Sequence, residues 1–331
     1  MQKADNIKKW IRILLCFFIC LQMFPPILVL DVTSLRHFLI ALFDIVAIGV
    51  VIYYCFWKKK GILSSSIFIK NPLIPIWLLL IIYMGISISW AINPIESLAV
   101  WNRWILIFLA MIISIGFMLK DNHAIKNLII CTLVIATINV LSCIICYYVF
   151  DVHISQRNNL KLNGFYGNKN IFAVALLFKL PFLYYAFLRF KKFIRYYSLF
   201  LIFAISFCLV ILSTRSSFIG LFVQLALLTF YGIFYKIKSR NISVIFKHSK
   251  LYLLICVVGI AGFILGDAFL KYNFNHYSKT ETNNYSIEAR VNSIAEGNSK
   301  GRLLIWENTS EIIKQSPLIG YGVGNHKLAI M

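Results

Sequence analysis

LIPIWLLLIIYMGISISWAI, residues 73–92, runs through twenty positions without a charge. A bilayer hydrocarbon core takes about 20 apolar residues of helix, so this stretch has the length of one membrane crossing. Eight others share its character: 10–30, 37–57, 101–119, 125–150, 171–188, 197–213, 218–235 and 251–270. With 60% hydrophobic residues and a mean hydropathy of +0.80, a soluble domain of this length is excluded. The expected fold is all-α: a polytopic membrane bundle of about nine transmembrane helices.

The net charge of +21 resolves into a topology. Nineteen Lys and Arg fall at the N-terminus and in the loops after the second, fourth, sixth and eighth stretches; the opposite short loops hold six: Arg36, Arg103, Arg157, Lys161, Lys169 and Arg215. Lys/Arg-rich loops stay cytoplasmic, so the N-terminus is expected inside and everything after Leu270 outside. Trp10 beside Lys9 and Trp57 beside Lys58 suit the interfacial aromatic belt. Basic residues dispersed over so many loops are a topology signal and no footprint for nucleic acid. The first apolar stretch is too long for a signal-peptide core and lacks a small-residue cleavage site, so it reads as a retained helix. All eight cysteines lie inside apolar stretches and read as small packing residues, with no disulfide framework; the six histidines are scattered, so no metal site is expected.

Outside the apolar stretches, a few segments have chemistry to offer. Residues 163–170, Asn-Gly-Phe-Tyr-Gly-Asn-Lys-Asn, lead into the sixth stretch. Such residues adopt positive φ cheaply, and a helix N-terminus favours an anion; an ordinary turn with an N-cap accounts for them equally. Residues 213–217, Ser-Thr-Arg-Ser-Ser, set one cation among four hydroxyls, which suits a phosphate or an arginine snorkelling to headgroups. From Lys271 to the chain end no spanning stretch occurs. Two amphipathic helices are expected there, over 286–296 and over 302–315, the second with Ile305, Trp306, Thr309, Ile312 and Ile313 on a stripe and ended by Ser316-Pro317. Gly320-Tyr321-Gly322-Val323-Gly324-Asn325 follows a helix instead of a strand, so it reads as a surface against membrane or a polar headgroup and not as a dinucleotide loop. Asp44 and Lys179 lie within spans, where ionisable groups are paired or functional; a carbonyl loosened by Pro181 is an available acceptor for Lys179.

Four segments together resemble the bacterial O-antigen ligase and polymerase family. They are 163–170 with Ala173 (G-x-x-G-N-x-N-x-x-A), 213–217 (S-x-R-[SG]), 301–306 (R-x-x-x-W, from Arg302 to Trp306) and 316–325 (P-L-x-G-x-G-x-G-N). The resemblance is strongest from about residue 160 onward. It implies a glycosyltransferase-C-like bundle in the bacterial inner membrane, divided as 1–160 (helices one to five and the start of an outer loop), 161–270 (family core, helices six to nine) and 271–331 (the first part of a large periplasmic loop). It implies transfer of a glycan from an undecaprenyl-diphosphate-linked donor to a saccharide or lipid A core acceptor, as in lipopolysaccharide and polysaccharide synthesis, with no metal and no cofactor. Arg215 and Arg302 would then hold the diphosphate, and Gly164, Gly167, Asn168, Asn170, Gly322, Gly324 and Asn325 would shape the site.

The family's histidine base has no match here. His326 belongs to the glycine motif, so the catalytic base is unassigned, and later helices are missing; a C-terminally truncated chain, inactive as these 331 residues, is the expectation. A polymerase, a lipid-linked saccharide transporter and a degenerate scaffold are the rival readings.

Overall fold

The computed structural model describes residues 12, 13, 15–17, 20, 32–53, 72–120, 122–150, 164–238, 242–277 and 300–329. Among them every regular element is helical: α1 Val32–Ile52, α2 Leu73–Ile86 prolonged by a 3₁₀ turn Ser87–Trp90, α3 Pro94–Lys120, α4 Asn122–Phe150, a 3₁₀ turn Gly164–Tyr166, α5 Lys169–Leu177, α6 Leu180–Arg189, α7 Lys192–Leu212, α8 Arg215–Lys238, α9 Ile242–Tyr277, α10 Lys300–Gln315 and α11 His326–Ala329. Among the described residues seven stretches are long and apolar enough to cross a membrane: Leu35–Ile52, Leu73–Trp90, Pro94–Gly116, His123–Tyr148, Lys169–Arg189, Lys192–Leu212 and Lys250–Tyr272. The shorter apolar run Ser216–Gly232 lies in α8. The protein is therefore a polytopic helical membrane protein. Most of the expected first span, and the helix expected over 286–296, lie outside the described residues.

Two expectations about boundaries change. α3 begins at Pro94, seven residues ahead of the apolar run, because Asn93 caps it: its side-chain oxygen accepts from the N–H groups of Ile95 and Glu96, both at 3.2 Å. Asn at the N-cap, Pro at the first position and an acid in the first turn form a strong start signal. Arg103, counted above as a loop residue, consequently lies inside α3, and Arg36 lies inside α1, which begins at Val32 ahead of its apolar run.

The chain forms two compact units. One comprises Met1–Leu21, Thr33–Asn127 and Gly297–Met331; the other comprises Gln22–Val32 and Leu128–Glu296. In the first, Phe43, Ala47, Ala110 and Ile113 share one small core, and Ile74, Ile81, Phe108 and Ile112 share another. The Trp101 indole donates to the Ile81 carbonyl at 2.9 Å, joining α2 to α3. Asp44 is buried, and among the described residues neither of its carboxylate oxygens has a hydrogen-bond partner.

The second unit has the larger core, centred on α7, where Leu201, Ile202, Ile205, Cys208, Leu209 and Val210 are almost wholly inaccessible. In lipid, helices associate through close packing, which favours small residues at the contact. Gly262-x-x-x-Gly266 on α9 does this: a Cβ at Gly262 would stand 2.4 Å from the Phe203 carbonyl oxygen of α7, and one at Gly266 would stand 3.0 Å from Val210.

The sixth apolar stretch is broken into α5 and α6 at Phe178–Lys179, near Pro181 in the first turn of α6. A break at membrane depth frees carbonyls that need donors. Lys179 N–H turns back to Leu176, leaving the Ala175 carbonyl to accept from Lys179 Nζ at 2.8 Å. Proline has no N–H to offer Leu177, whose carbonyl accepts from Gln224 Nε2 of α8 at 3.2 Å. Gln224→Leu is thus expected to lower stability by about 1–3 kcal/mol, the cost of one orphaned buried carbonyl, seen as a lower unfolding midpoint in detergent. In a Pro181→Ala background, where the alanine N–H can serve Leu177, the loss should shrink.

Candidate functional site

Within the second unit, the chain reverses tightly at 190–191 and at 213–214, so α5–α6 and α8 run in the same direction. The N-termini of α5 and α8 therefore lie at one end of that unit. The Asn/Gly segment and the Ser/Thr/Arg hairpin are therefore both at that end.

At the start of α5, Gly164 and Gly167 take φ of 50° and 68°. Glycine is required at Gly164 on two counts, since a Cβ would also stand 2.8 Å from the Phe172 ring. Asn168 is the N-cap: its side chain accepts from the Asn170 N–H at 2.8 Å. Both asparagines are exposed at this end. Behind them Tyr166 stacks on Phe172 with ring centroids 5.3 Å apart, and its hydroxyl meets Lys179 Nζ at 3.4 Å and the Asn139 amide at 3.1 Å. Buried Lys179 thus joins the entry turn to the break in the span below it.

In the hairpin, Ser213 closes α7 in the left-handed conformation, φ 50°, and its hydroxyl donates to Val210 at 2.9 Å. Thr214 and Ser217 are buried and bonded to each other through their hydroxyls, and Ser217 also donates to the Thr214 carbonyl at 2.8 Å. Two of the four hydroxyls therefore serve the backbone and a third is bonded to one of those two, while Ser216 is exposed. Arg215 is the first residue of α8, where free N–H groups and the helix dipole favour an anion.

The remaining motifs lie in the first unit. Arg302 is in the first turn of α10, and four- and seven-residue steps put Trp306 and Thr309 on its face of the helix. Trp306 is 67% exposed. The helix ends at Gln315, as Ser316-Pro317 predicts, and the chain folds back so that His326 Nε2 lies 3.0 Å from Thr309 Oγ1. The Thr309 hydroxyl already donates to the Ile305 carbonyl at 2.6 Å, so the imidazole donates to it through Nε2. His326 itself is exposed.

The glycine motif docks on the turn between α2 and α3. Asn325 is fully buried: its oxygen accepts from the Asn93 N–H at 3.1 Å, and its amide donates to Ser97 Oγ at 2.8 Å and the Tyr321 carbonyl at 3.1 Å. Ser97 in turn donates to the Val323 carbonyl at 2.7 Å, and the Val323 N–H donates to Ser87 at 3.3 Å. Gly322 has φ 83°, and a Cβ there would lie 2.5 Å from that of Ala91. At Gly324 a Cβ would lie 2.9 Å from Val100. These residues hold a backbone junction. The partners Ser87, Asn93 and Ser97 went unrecognised in the sequence, although Asn93-Pro94-x-Glu96 signals a helix start.

A helical membrane bundle with these motifs at its helix ends defines the class: a polytopic membrane protein with anion-favouring helix termini. Residues 198–330 match the family model described as O-Antigen ligase. The match takes in the hairpin, Arg302 and the glycine motif, three of the four segments read in the sequence, so this part of the chain is similar to the O-antigen ligase family. No curated protein and no solved structure matches.

Proposed function

We propose that the protein works in the bacterial inner membrane with its N-terminus cytoplasmic, and transfers a glycan at the periplasmic face from undecaprenyl diphosphate to an acceptor hydroxyl. The observation behind this reading is the placement of Arg215 as the first residue of α8, at the end of the unit where Asn168 and Asn170 open α5. The acceptor oxygen attacks the anomeric carbon, the carbon–oxygen bond to the diphosphate breaks, and the hydroxyl proton passes to a base. Negative charge grows on the departing diphosphate. A guanidinium fork and a helix N-terminus together offset it. The family resemblance assigns a second guanidinium to Arg302, and the exposed Asn168 and Asn170 shape the mouth of the site beside Arg215.

The test incubates membranes bearing the full-length protein, as its own cell makes it, with a lipid-diphosphate-linked glycan and a saccharide or lipid A core acceptor. Expected is a glycan-bearing acceptor together with free lipid diphosphate. A longer lipid-linked glycan instead marks polymerisation by the same donor chemistry. Donor that crosses the bilayer unchanged overturns the proposal in favour of transport.

A further inference from the structure

The fold-back after α10 holds something the family match does not assign. On α2, the residues Leu73, Ile76, Leu79, Tyr83 and Ile86 form one exposed stripe along a membrane-spanning helix, the side that faces lipid. The turn after α10 is bonded onto this stripe. The Tyr83 hydroxyl reaches the carbonyls of both Leu318 and Ile319 at 3.0 Å, and the Trp90 indole donates to the Ile319 carbonyl at 3.3 Å. Tyr83 and Trp90 converge on the Ile319 carbonyl, so the turn lies beside the last turns of the span.

We propose that residues 317–320 are a membrane-dipping anchor, with Leu318 and Ile319 inserted among the lipid chains beside α2. Their side chains are 89% and 56% exposed, on a turn already lying against a lipid-facing surface. The backbone suits that depth. Each polar group of the turn that is bonded within the protein lowers the cost of approaching the acyl boundary. Here the carbonyls of Leu318 and Ile319 are taken by Tyr83 and Trp90, the Gly320 N–H donates to the Ser316 carbonyl at 3.2 Å, and the Gly320 carbonyl accepts from Ser316 Oγ at 3.3 Å. Pro317 has no N–H to satisfy. Tyrosine and tryptophan are also the side chains that populate the bilayer interface. The occupant is the bilayer itself, because the surface to which the turn is fixed is continuous with the lipid-facing side of a span.

The full-length protein with Leu318→Cys is labelled with an environment-sensitive fluorophore and reconstituted in bilayers containing a nitroxide lipid quencher; the parent chain treated identically is the blank for native cysteines. Ile319→Cys provides a second reading should the first variant fail to insert, and Glu311→Cys, at an exposed position on α10, is the water-facing control. The expected result is loss of emission to the lipid quencher at 318 and 319 with no loss to iodide, and the reverse at 311. Quenching of 318 and 319 by iodide, as at 311, overturns the proposal. So does protection from both quenchers, which would mean that protein covers the turn.

Discussion

Arg215→Ala and Arg302→Ala should each lower glycan transfer on the order of a hundredfold while the protein still inserts in the membrane. The estimate rests on one charge-assisted contact to the leaving diphosphate, worth ~3 kcal/mol of transition-state stabilisation. Lysine should restore only part of the rate, because an ammonium keeps the charge but loses the planar, two-pronged fit to phosphate oxygens. The measurement is the initial rate of acceptor glycosylation in membranes containing matched amounts of each variant. The two arginines should differ in what accompanies the loss. Arg215 begins a helix whose neighbours Thr214 and Ser217 are bonded to each other, so its replacement leaves the cap intact and stability unchanged. A variant transferring glycan at the parental rate would remove that arginine from the site. Should labelling place residues 213–217 on the cytoplasmic face, the assignment of both to a periplasmic diphosphate fails.

Asn325→Ala should detach the segment 316–325 from the α2–α3 turn. Alanine removes the acceptor for the Asn93 N–H and the amide that meets Ser97 and Tyr321, in a place water does not reach. Leaving such groups unpaired costs about 1–3 kcal/mol each, so the total loss exceeds what a local junction of this size is expected to hold. Gly322→Ala reaches the same end by another route, combining a left-handed φ with a Cβ 2.5 Å from that of Ala91. Both should expose residues 316–325 to rapid hydrogen exchange and proteolysis, with the exchange of α7 in the other unit unchanged. Protection equal to the parent's in both variants would show that the junction is held by something other than these contacts.

The hydropathy of the chain made most of the spans legible, because a helix in lipid must be apolar along its whole length. Lys179 did find a backbone carbonyl, that of Ala175, although the sixth stretch read as unbroken. Other features depend on contacts remote in sequence. Asn325 meets Asn93 across a separation of 232 residues, so a glycine run that reads as a ligand or membrane surface is in fact seated on another turn. Gly262 and Gly266 are ordinary members of an apolar run until α7 is laid against them. The start of α3 was written in Asn93-Pro94-x-Glu96, yet hydropathy alone places it at Trp101. For the site, the sequence offered residue types and order. It did not reveal that three of the four hairpin hydroxyls are bonded within the hairpin and its helix end.

The seating of Asn325 on Asn93 and Ser97 also bears on biogenesis. The first unit is assembled from segments separated by the whole of residues 128–296, so its α2–α3 hairpin is made and inserted long before its partner is synthesised. Until then the Asn93 amide and the Ser97 hydroxyl await a mate on a nascent chain, while the intervening helices have every opportunity to pack. A ribosome stalled before codon 325 would therefore leave one half of the molecule assembled and the other unlatched, a state that membrane quality-control proteases are equipped to recognise.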